Sequence, residues 1–302
     1  MTNAWLQRLI NLGVLTLTYS LAAWLWDSQR AWATVCLLAP WLLTPLILGI
    51  QCVWAAQINR AETLVHPASL RQWLKAWLAE WRVATQVFAW WQPFRYRAIA
   101  DHLKSSPSQR GMVLVHGFFC NRALWTDWMR QLHSRQRAFV SVDLEPAYGS
   151  ISDYSDVVEA AIRQVEKATG MPPVLVGHSM GGLAIRAWAA KYVGRDGDMK
   201  RIHHIFTLGT PHQGTAIAAA SHTENGHQMR RGSPWLADNA SRLPHNFAKH
   251  CTCYYSHCDN IVFPASTATI SGADNRHIAG YAHVQLVFAN EIQQACLGQL
   301  EN

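Results

Sequence analysis

The chain has 302 residues, half of them apolar, which is enough for one large α/β domain with an appendage. Residues 1–110 carry ten Lys and Arg against four Asp and Glu, together with eleven of the fifteen Trp, whereas residues 111–302 are nearly balanced in charge. Because basic residues beside apolar runs and Trp are typical of a membrane surface, the charge favours a membrane over a nucleic acid as the partner.

The seven cysteines form an odd set without a regular framework, which predicts free thiols in a reducing compartment. Cys251 and Cys253, with His257 and Cys258 nearby, would suit a metal by residue type. Neither a Cys-x-x-Cys pair nor two His at zinc spacing accompanies them, however. We therefore expect core and strand residues at these positions, with no metal and no other cofactor.

Two uncharged apolar runs open the chain, Leu9–Trp26 with eighteen residues and Ala31–Ile58 with twenty-eight. Each is long enough to cross a hydrocarbon core of about 30 Å as a helix, so we predict a transmembrane helical hairpin over residues 1–58. A signal peptide is the competing interpretation, but no Ala-x-Ala cleavage site precedes the polar break between the runs. A re-entrant hairpin also stays open, because Pro40 and Pro45 interrupt the second run.

Basic residues flank the hairpin on the side of its two ends. Arg8 precedes it, and Arg60, Arg71 and Lys75 follow it, whereas the loop between the runs has one Arg and one Asp. The excess of positive charge beside cytoplasmic ends predicts that both ends, and the large C-terminal part, lie in the cytoplasm.

Residues 59–110 are predicted to form an amphipathic helix and a linker. Between Ser69 and Trp91, apolar residues recur at spacings of three and four, with basic residues on the other faces. This helix either packs on the globular domain or lies in the membrane interface with its Trp at headgroup level. The polar segment Asp101–Gln109 is predicted to be the linker. The apolar positions of the helix are Leu70, Trp73, Leu74, Trp77, Leu78 and Trp81.

From residue 111 onward, short apolar runs alternate with helical patterns. This alternation predicts an α/β domain over residues 111–302 with a doubly wound, mostly parallel sheet. Residues 213–249 lack a clear periodicity, and loops of that length inside a compact domain are usually functional, so we expect a lid there. The predicted strands are residues 112–115, 138–142, 173–178, 205–208 and 251–255, and the predicted helices are 122–134, 154–169 and 180–193.

The segment 173–188 is an apolar run, then Gly-His-Ser-Met-Gly, then a helical pattern. Strand, sharp turn and helix in this order are typical of a nucleophile elbow, with Ser179 at the turn. Gly177 and Gly181 are required because a Cβ at either position would collide with the neighbouring strand or helix. A serine hydroxyl is a poor nucleophile at neutral pH, so it needs a base, an orienting acid and donors for the oxyanion.

In hydrolases with such an elbow, the acid and then the base follow the serine along the chain. Asp259 comes after the strand that follows the predicted lid, and His283 comes after one more strand. These positions predict the acid and the base, with Asp274 as the alternative acid. His277 is the rival base, but it is expected within that further strand and not in the loop after it. The predicted oxyanion donors are the amides of Phe118 and Met180.

These motifs resemble the bacterial lipase and esterase branch of the α/β-hydrolase fold over residues 111–295. Val115–Phe118 resembles the oxyanion strand of that branch, and Gly177–Gly182 resembles its lipase box. The segments Thr207–Thr215 and Arg231–Leu236 are similar to two further motifs of the branch. Residues 1–110 find no counterpart in its secreted members. The resemblance implies a serine hydrolase that cleaves carboxylic esters. With the charge asymmetry and the unpaired cysteines, it predicts an anchor in the bacterial inner membrane.

Three observations favour a lipid-like ester as substrate and the bilayer as partner: the predicted lid, the aromatic pair Phe118 and Phe119, and the predicted anchor. An acyltransferase or thioesterase would use the same acyl-enzyme and stays an alternative. A non-enzymatic binding module is disfavoured, because no member of the predicted triad is missing.

Overall fold

The computed structural model describes residues 2–104 and 109–301. Its centre is a six-stranded sheet in the order β2-β1-β3-β4-β5-β6, in which every neighbouring pair is parallel. The predicted doubly wound parallel sheet is therefore confirmed. The strands are β1 Met112–Val115, β2 Phe139–Ser141, β3 Val174–His178, β4 His204–Leu208, β5 Cys251–Tyr255 and β6 Asp274–His277.

Helices precede the sheet in the chain and then alternate with its strands. Within the described ranges, the α-helices are α1 Asn3–Leu25, α2 Arg30–Asn59, α3 Leu70–Ala84, α4 Gln92–Phe94, α5 Thr126–Ser134, α6 Tyr154–Thr169, α7 Met180–Trp188, α8 Glu224–Gln228, α9 Pro234–Arg242 and α10 Asn290–Gly298. Wide π-helical turns, Thr85–Trp91 and Ala189–Val193, extend α3 and α7.

The sheet has an apolar core on each face, because successive residues of a strand point to opposite sides. Val113 and Val115 of β1 belong to the core that contains α6 and α7. Met112 and Leu114 belong to the other core, together with residues of α5 and α10. The covering of both faces explains why the inner strands are apolar at nearly every position.

The first two helices form an antiparallel hairpin that stands on the sheet domain. Both helices are long enough and apolar enough to cross a membrane, on the criteria of length and composition alone. Large apolar side chains along them are exposed, such as Leu17 at 61%, Trp24 at 77% and Trp41 at 63%.

Polar side chains join the two ends of this hairpin to the sheet domain. At the start of α1, the Gln7 amide donates to the carbonyl of Phe119 at 2.9 Å. At the end of α2, Asn59 Nδ2 donates to the carbonyl of His257 at 3.1 Å, and its Oδ1 accepts from the amide of Ala265 at 3.0 Å. The hairpin is thus held at loops that follow β1 and β5.

The segment between the hairpin and β1 differs from the prediction in part. His102 exchanges two backbone hydrogen bonds with Phe139 of β2, and Asp101 Oδ1 accepts from the amide of Ser141. The start of the predicted linker is therefore part of the sheet domain. The rest of that linker includes residues 105–108, which lie outside the described residues.

The predicted lid, residues 213–249, contains α8 and α9 and packs on the loop after β2. The Asn225 side chain donates to the carbonyl of Ala147 at 3.0 Å, and Trp235 Nε1 donates to the hydroxyl of Ser152 at 2.9 Å. Its apolar residues Met229, Leu236 and Phe247 pack into the core that covers one face of the sheet. The apolar residues of the segment therefore face the interior of the sheet domain.

We predict that Asn59→Ala weakens the attachment of the N-terminal helices. Asn59 is 4% exposed, and its removal leaves a buried carbonyl and a buried amide without partners. The melting temperature of the detergent-solubilised protein should fall by roughly 4–10 °C. The control is Gln57→Ala, an exposed residue of the same helix turn. Equal melting temperatures for the two variants would contradict the prediction.

Candidate active site

Ser179 occupies a strained turn between β3 and α7. Its φ of 55° and ψ of −128° are unfavourable for any residue with a side chain. The turn is tight on both sides, because a Cβ on Gly177 would lie 2.7 Å from the Gly182 nitrogen and one on Gly181 would lie 2.2 Å from the Val115 carbonyl oxygen. Glycine at these two positions lets α7 approach the sheet closely enough to form the elbow.

Asp259 and His283 form a buried hydrogen-bonded pair at the ends of strands on the same edge of the sheet. Asp259 Oδ2 lies 2.9 Å from His283 Nδ1. The other carboxylate oxygen accepts from the amides of Ile261 at 2.8 Å and Val262 at 2.7 Å. A carboxylate on Nδ1 keeps the proton on that nitrogen and leaves Nε2 free to act as a base.

The backbone of His283 is fixed as firmly as its ring. Its carbonyl accepts from Nε2 of His178 at 3.1 Å, and its amide donates to Oδ1 of Asn260 at 3.2 Å. The rings of His178 and His283 are also in contact, with 4.6 Å between their centroids. Since His178 directly precedes Ser179, these contacts place His283 beside the elbow.

The backbone of Leu208 and Gly209 lies between the serine and the acid–base pair. The Ser179 amide donates to the Leu208 carbonyl at 2.9 Å. A Cβ on Gly209 would lie 2.8 Å from Asp259 Oδ2 and 3.2 Å from His283 Nδ1, and the residue has a φ of 55°. Sequence reasoning missed this role, although Gly209 stands in the quoted Thr207–Thr215 motif.

The loop after β1, which carries Phe118, lies directly against Ser179. A Cβ on Gly117 would lie 2.7 Å from the Ser179 Cβ. His116 fixes this loop, because its Nε2 accepts from the Leu144 amide at 3.0 Å and its Nδ1 therefore donates to the Gly117 carbonyl at 2.9 Å. The Met180 amide opens α7, so it has no acceptor within that helix. Both predicted oxyanion donors thus lie on backbone that adjoins Ser179.

The pKa values of the two neighbouring histidines shift in opposite directions. Burial lowers the pKa of His178 well below its usual value, and the nearby His283 lowers it further. Burial also acts to lower the pKa of His283, but the charge and hydrogen bond of Asp259 and the charge of Glu80 raise it above its usual value. His178 is therefore a neutral hydrogen-bond donor, while His283 is the residue suited to hold a proton.

The alternative acid and base from the sequence, Asp274 and His277, are bonded to or packed on residues outside the Asp259–His283 pair. Asp274, the alternative acid, lies in β6 and forms an ion pair with Arg276 at 2.7 Å. His277, the rival base, packs against His257 with 4.7 Å between ring centroids. Cys251 and Cys253 are buried side chains of β5, as expected for core and strand residues.

Sequence reasoning also missed two polar residues of the N-terminal helices. Glu80 of α3 accepts from the amides of Val284 and Gln285, both at 2.9 Å, and Gln51 of α2 accepts from Asn260 Nδ2, also at 2.9 Å. One available signal was that Glu80 is the single acidic residue of an otherwise basic and apolar helix. Its partners, about 200 positions away, have no local signature.

We predict that Gly209→Ala disrupts the acid–base pair. The added methyl group would meet the Asp259 carboxylate, and the displacement should lower turnover by roughly 100-fold. Gly170→Ala is the control, since Gly170 has a φ of 71° and its Cβ would point into open space among the described residues. Both variants should lose about 1 kcal/mol of stability through the unfavourable φ. Full activity of Gly209→Ala, with a stability loss no larger than that of Gly170→Ala, would contradict this close contact.

Comparison with known proteins bears on the family and the fold. Residues 112–281 match the model of the alpha/beta hydrolase family. The mature lipase BlEst2 of Bacillus licheniformis is similar in structure, with 16% identity, a TM-score of 0.54 and coverage of 65% of this chain and 94% of that one. Aspergillus fumigatus lipase B has 14% identity, a TM-score of 0.50 and coverage of 64% and 53%.

None of the curated proteins has a sequence that matches the chain. At these identities the similarity to the two lipases concerns the fold alone. The family match is independent of them, spans more than half of the chain and ends two residues before His283. Together with the elbow on β3, it establishes that this chain belongs to the alpha/beta hydrolase family.

Proposed function

We propose that this protein is a membrane-anchored serine hydrolase that cleaves carboxylic esters with Ser179, His283 and Asp259. The observation that carries the proposal is the connection between these residues: the Ser179 amide is bonded to Leu208, and Gly209, the next residue, packs on the bonded Asp259–His283 pair. A nucleophile, a base and an orienting acid meet at one edge of the sheet, which is the arrangement that acyl transfer requires.

In the proposed mechanism, Ser179 Oγ attacks the ester carbonyl while His283 Nε2 accepts its proton. The amides of Phe118 and Met180 donate to the oxyanion that forms. When the tetrahedral intermediate collapses, His283 returns the proton to the leaving alcohol. Water then attacks the acyl-enzyme with His283 again as base, which releases the acid and restores Ser179. Asp259 keeps the imidazole in the productive tautomer throughout.

An apolar, lipid-like acyl ester is the substrate that we infer. Phe118 and Phe119 lie next to the elbow and pack against Tyr148, with 5.7 Å and 6.4 Å between ring centroids. Aromatic rings at this place suit an acyl chain, of which each buried methylene contributes about 0.8 kcal/mol. The proposed anchor adds to this argument, because Gln7 of α1 contacts Phe119 and so brings the site close to the bilayer.

The membrane anchor itself is inferred from α1 and α2, with the catalytic part in the cytoplasm at the inner membrane. Their exposed apolar side chains need a solvent other than water. The polar contacts at the base of the hairpin would lie outside the hydrocarbon, where the basic residues also stand. The seven cysteines, all within the described ranges, carry free thiols, which suits a reducing compartment.

We predict that the protein hydrolyses p-nitrophenyl octanoate and palmitate faster than the acetate, and that bilayer vesicles increase the difference. Ser179→Ala should reduce hydrolysis by at least about 10³-fold and abolish labelling by a fluorophosphonate probe. Retained labelling of Ser179→Ala would refute the assignment of Ser179 as the nucleophile. A preference for acetate without a vesicle effect would refute the lipid-like substrate, and transfer to an added alcohol in preference to water would indicate an acyltransferase.

We also predict the side of the membrane. A C-terminal alkaline phosphatase fusion, which is active only outside the cytoplasm, should be inactive in cells, whereas a C-terminal green fluorescent protein fusion should fluoresce. The opposite pair of results would place the catalytic part on the outer side.

A further inference from the structure

A carboxylate from the N-terminal helices is buried against the loop that carries the proposed base. Glu80 of α3 is 1% exposed. Its Oε1 accepts from the Val284 amide and its Oε2 from the Gln285 amide, each at 2.9 Å. These are the two residues that directly follow His283.

The loop needs these acceptors because a helical turn begins there. Residues 284–288 form a 3-10 helix with His283 as its N-cap residue, so its first N–H groups have no acceptor within the turn. Three successive amides are nevertheless satisfied: that of His283 by Asn260, and the next two by Glu80. A charged acceptor at the start of a helical turn forms the stronger kind of hydrogen bond.

A second contact from the hairpin supports the same loop. Gln51 of α2 accepts from Asn260 Nδ2 at 2.9 Å, and the Oδ1 of that asparagine accepts from the His283 amide. The orientation of Asn260 is therefore set by a residue of the N-terminal helices. Two independent connections, one direct and one through Asn260, run from these helices to the backbone of the proposed base.

We propose that Glu80 is a positioning residue for His283, so that the N-terminal helices complete the hydrolase site in addition to anchoring it. The proposal rests on the proposed function, in which His283 is the base. Glu80 holds the backbone after His283 so that the imidazole keeps its distance from Ser179, and its negative charge stabilises the imidazolium that forms during acyl transfer.

The ionisation of Glu80 is linked to that of His283. Burial raises its pKa to about 7, while the amides of Val284 and Gln285 and the charge of His283 act to lower it. The titratable groups that face it are His283, Asp259 and the Cys52 thiol of α2. Because the charge of Glu80 raises the pKa of His283, its removal should lower that pKa.

The test compares Glu80→Gln with Glu62→Gln in the full-length, detergent-solubilised protein. Glu62 also accepts from an amide of the sheet domain, that of Ser266 at 2.9 Å, but this contact is away from His283. Each variant loses one carboxylate that joins the N-terminal segment to the sheet domain. Glu80→Gln should reduce kcat for a p-nitrophenyl ester by roughly 10- to 100-fold with little change in KM, while Glu62→Gln keeps wild-type kcat.

The pH profile separates positioning from mere structural support. His283 must be neutral to accept the serine proton, so kcat/KM rises as the pH passes through its pKa. With the negative charge gone, the acid limb of Glu80→Gln should move to lower pH. A uniform loss of rate at every pH, with an unmoved acid limb, would overturn the electrostatic part, and wild-type kcat would overturn the whole proposal.

Gln51→Leu keeps the proposal testable if Glu80→Gln fails to fold. This change removes the acceptor of Asn260 but no charge, so kcat should fall while the acid limb stays at its wild-type pH. An unchanged kcat of Gln51→Leu would then overturn the proposed link from Gln51 through Asn260 to His283. The rate of fluorophosphonate labelling separates failure of this proposal from failure of the proposed function: an unlabelled wild-type protein refutes the function, whereas wild-type labelling rates in both variants refute only the positioning role.

Discussion

The strained turn at Ser179 is held in place by the packing of β3 and α7 around it. A residue with a side chain in this conformation costs about 1–3 kcal/mol, and it persists only where the surroundings leave no alternative. Here β3 lies between β1 and β4 in the sheet, α7 is buried along its whole length, and the Ser179 amide is bonded to β4. The close approach of α7 to the sheet, which only glycine at 177 and 181 permits, holds the serine in place.

The joint between the N-terminal helices and the sheet domain combines two requirements that oppose each other. In the proposed anchor, helices that enter a bilayer need an apolar surface, whereas a specific attachment to the loops around the site needs hydrogen bonds. The chain separates them along the helix axis: polar residues such as Asn3, Gln7 and Asn59 are buried at the base of the hairpin, and the exposed side chains beyond it are largely apolar. The attachment reaches the loops after β1 and β5 and the loop of His283.

Two carboxylates, Asp259 and Glu80, are buried near His283, and burial of a charge is costly unless hydrogen bonds replace the lost water. Each carboxylate accepts two backbone amides, which supplies those bonds without mobile side chains. The donors are fixed by the main chain, so in the proposed mechanism the two carboxylates are already oriented before an imidazolium forms at His283. Such preorganisation is the form in which electrostatic stabilisation is most effective in catalysis.

Local sequence patterns are sufficient to predict several elements of the fold and the order of the candidate catalytic residues along the chain. The apolar runs of β1, β3 and β5, the helix Tyr154–Thr169 and the serine at its glycine-flanked turn could all be identified from neighbouring residues, because period and turn chemistry are local. Asp259 and His283 were named from chain order, and the structure places them in contact.

The residues that surround that pair are visible only in the folded chain. Gly209, Gln51 and Glu80 contact residues up to about 200 positions away, and the inward-facing side of the 213–249 segment depends on the core that it meets. Such contacts have no signature in the local sequence, because a side chain's partner across the fold is set by how the whole chain packs.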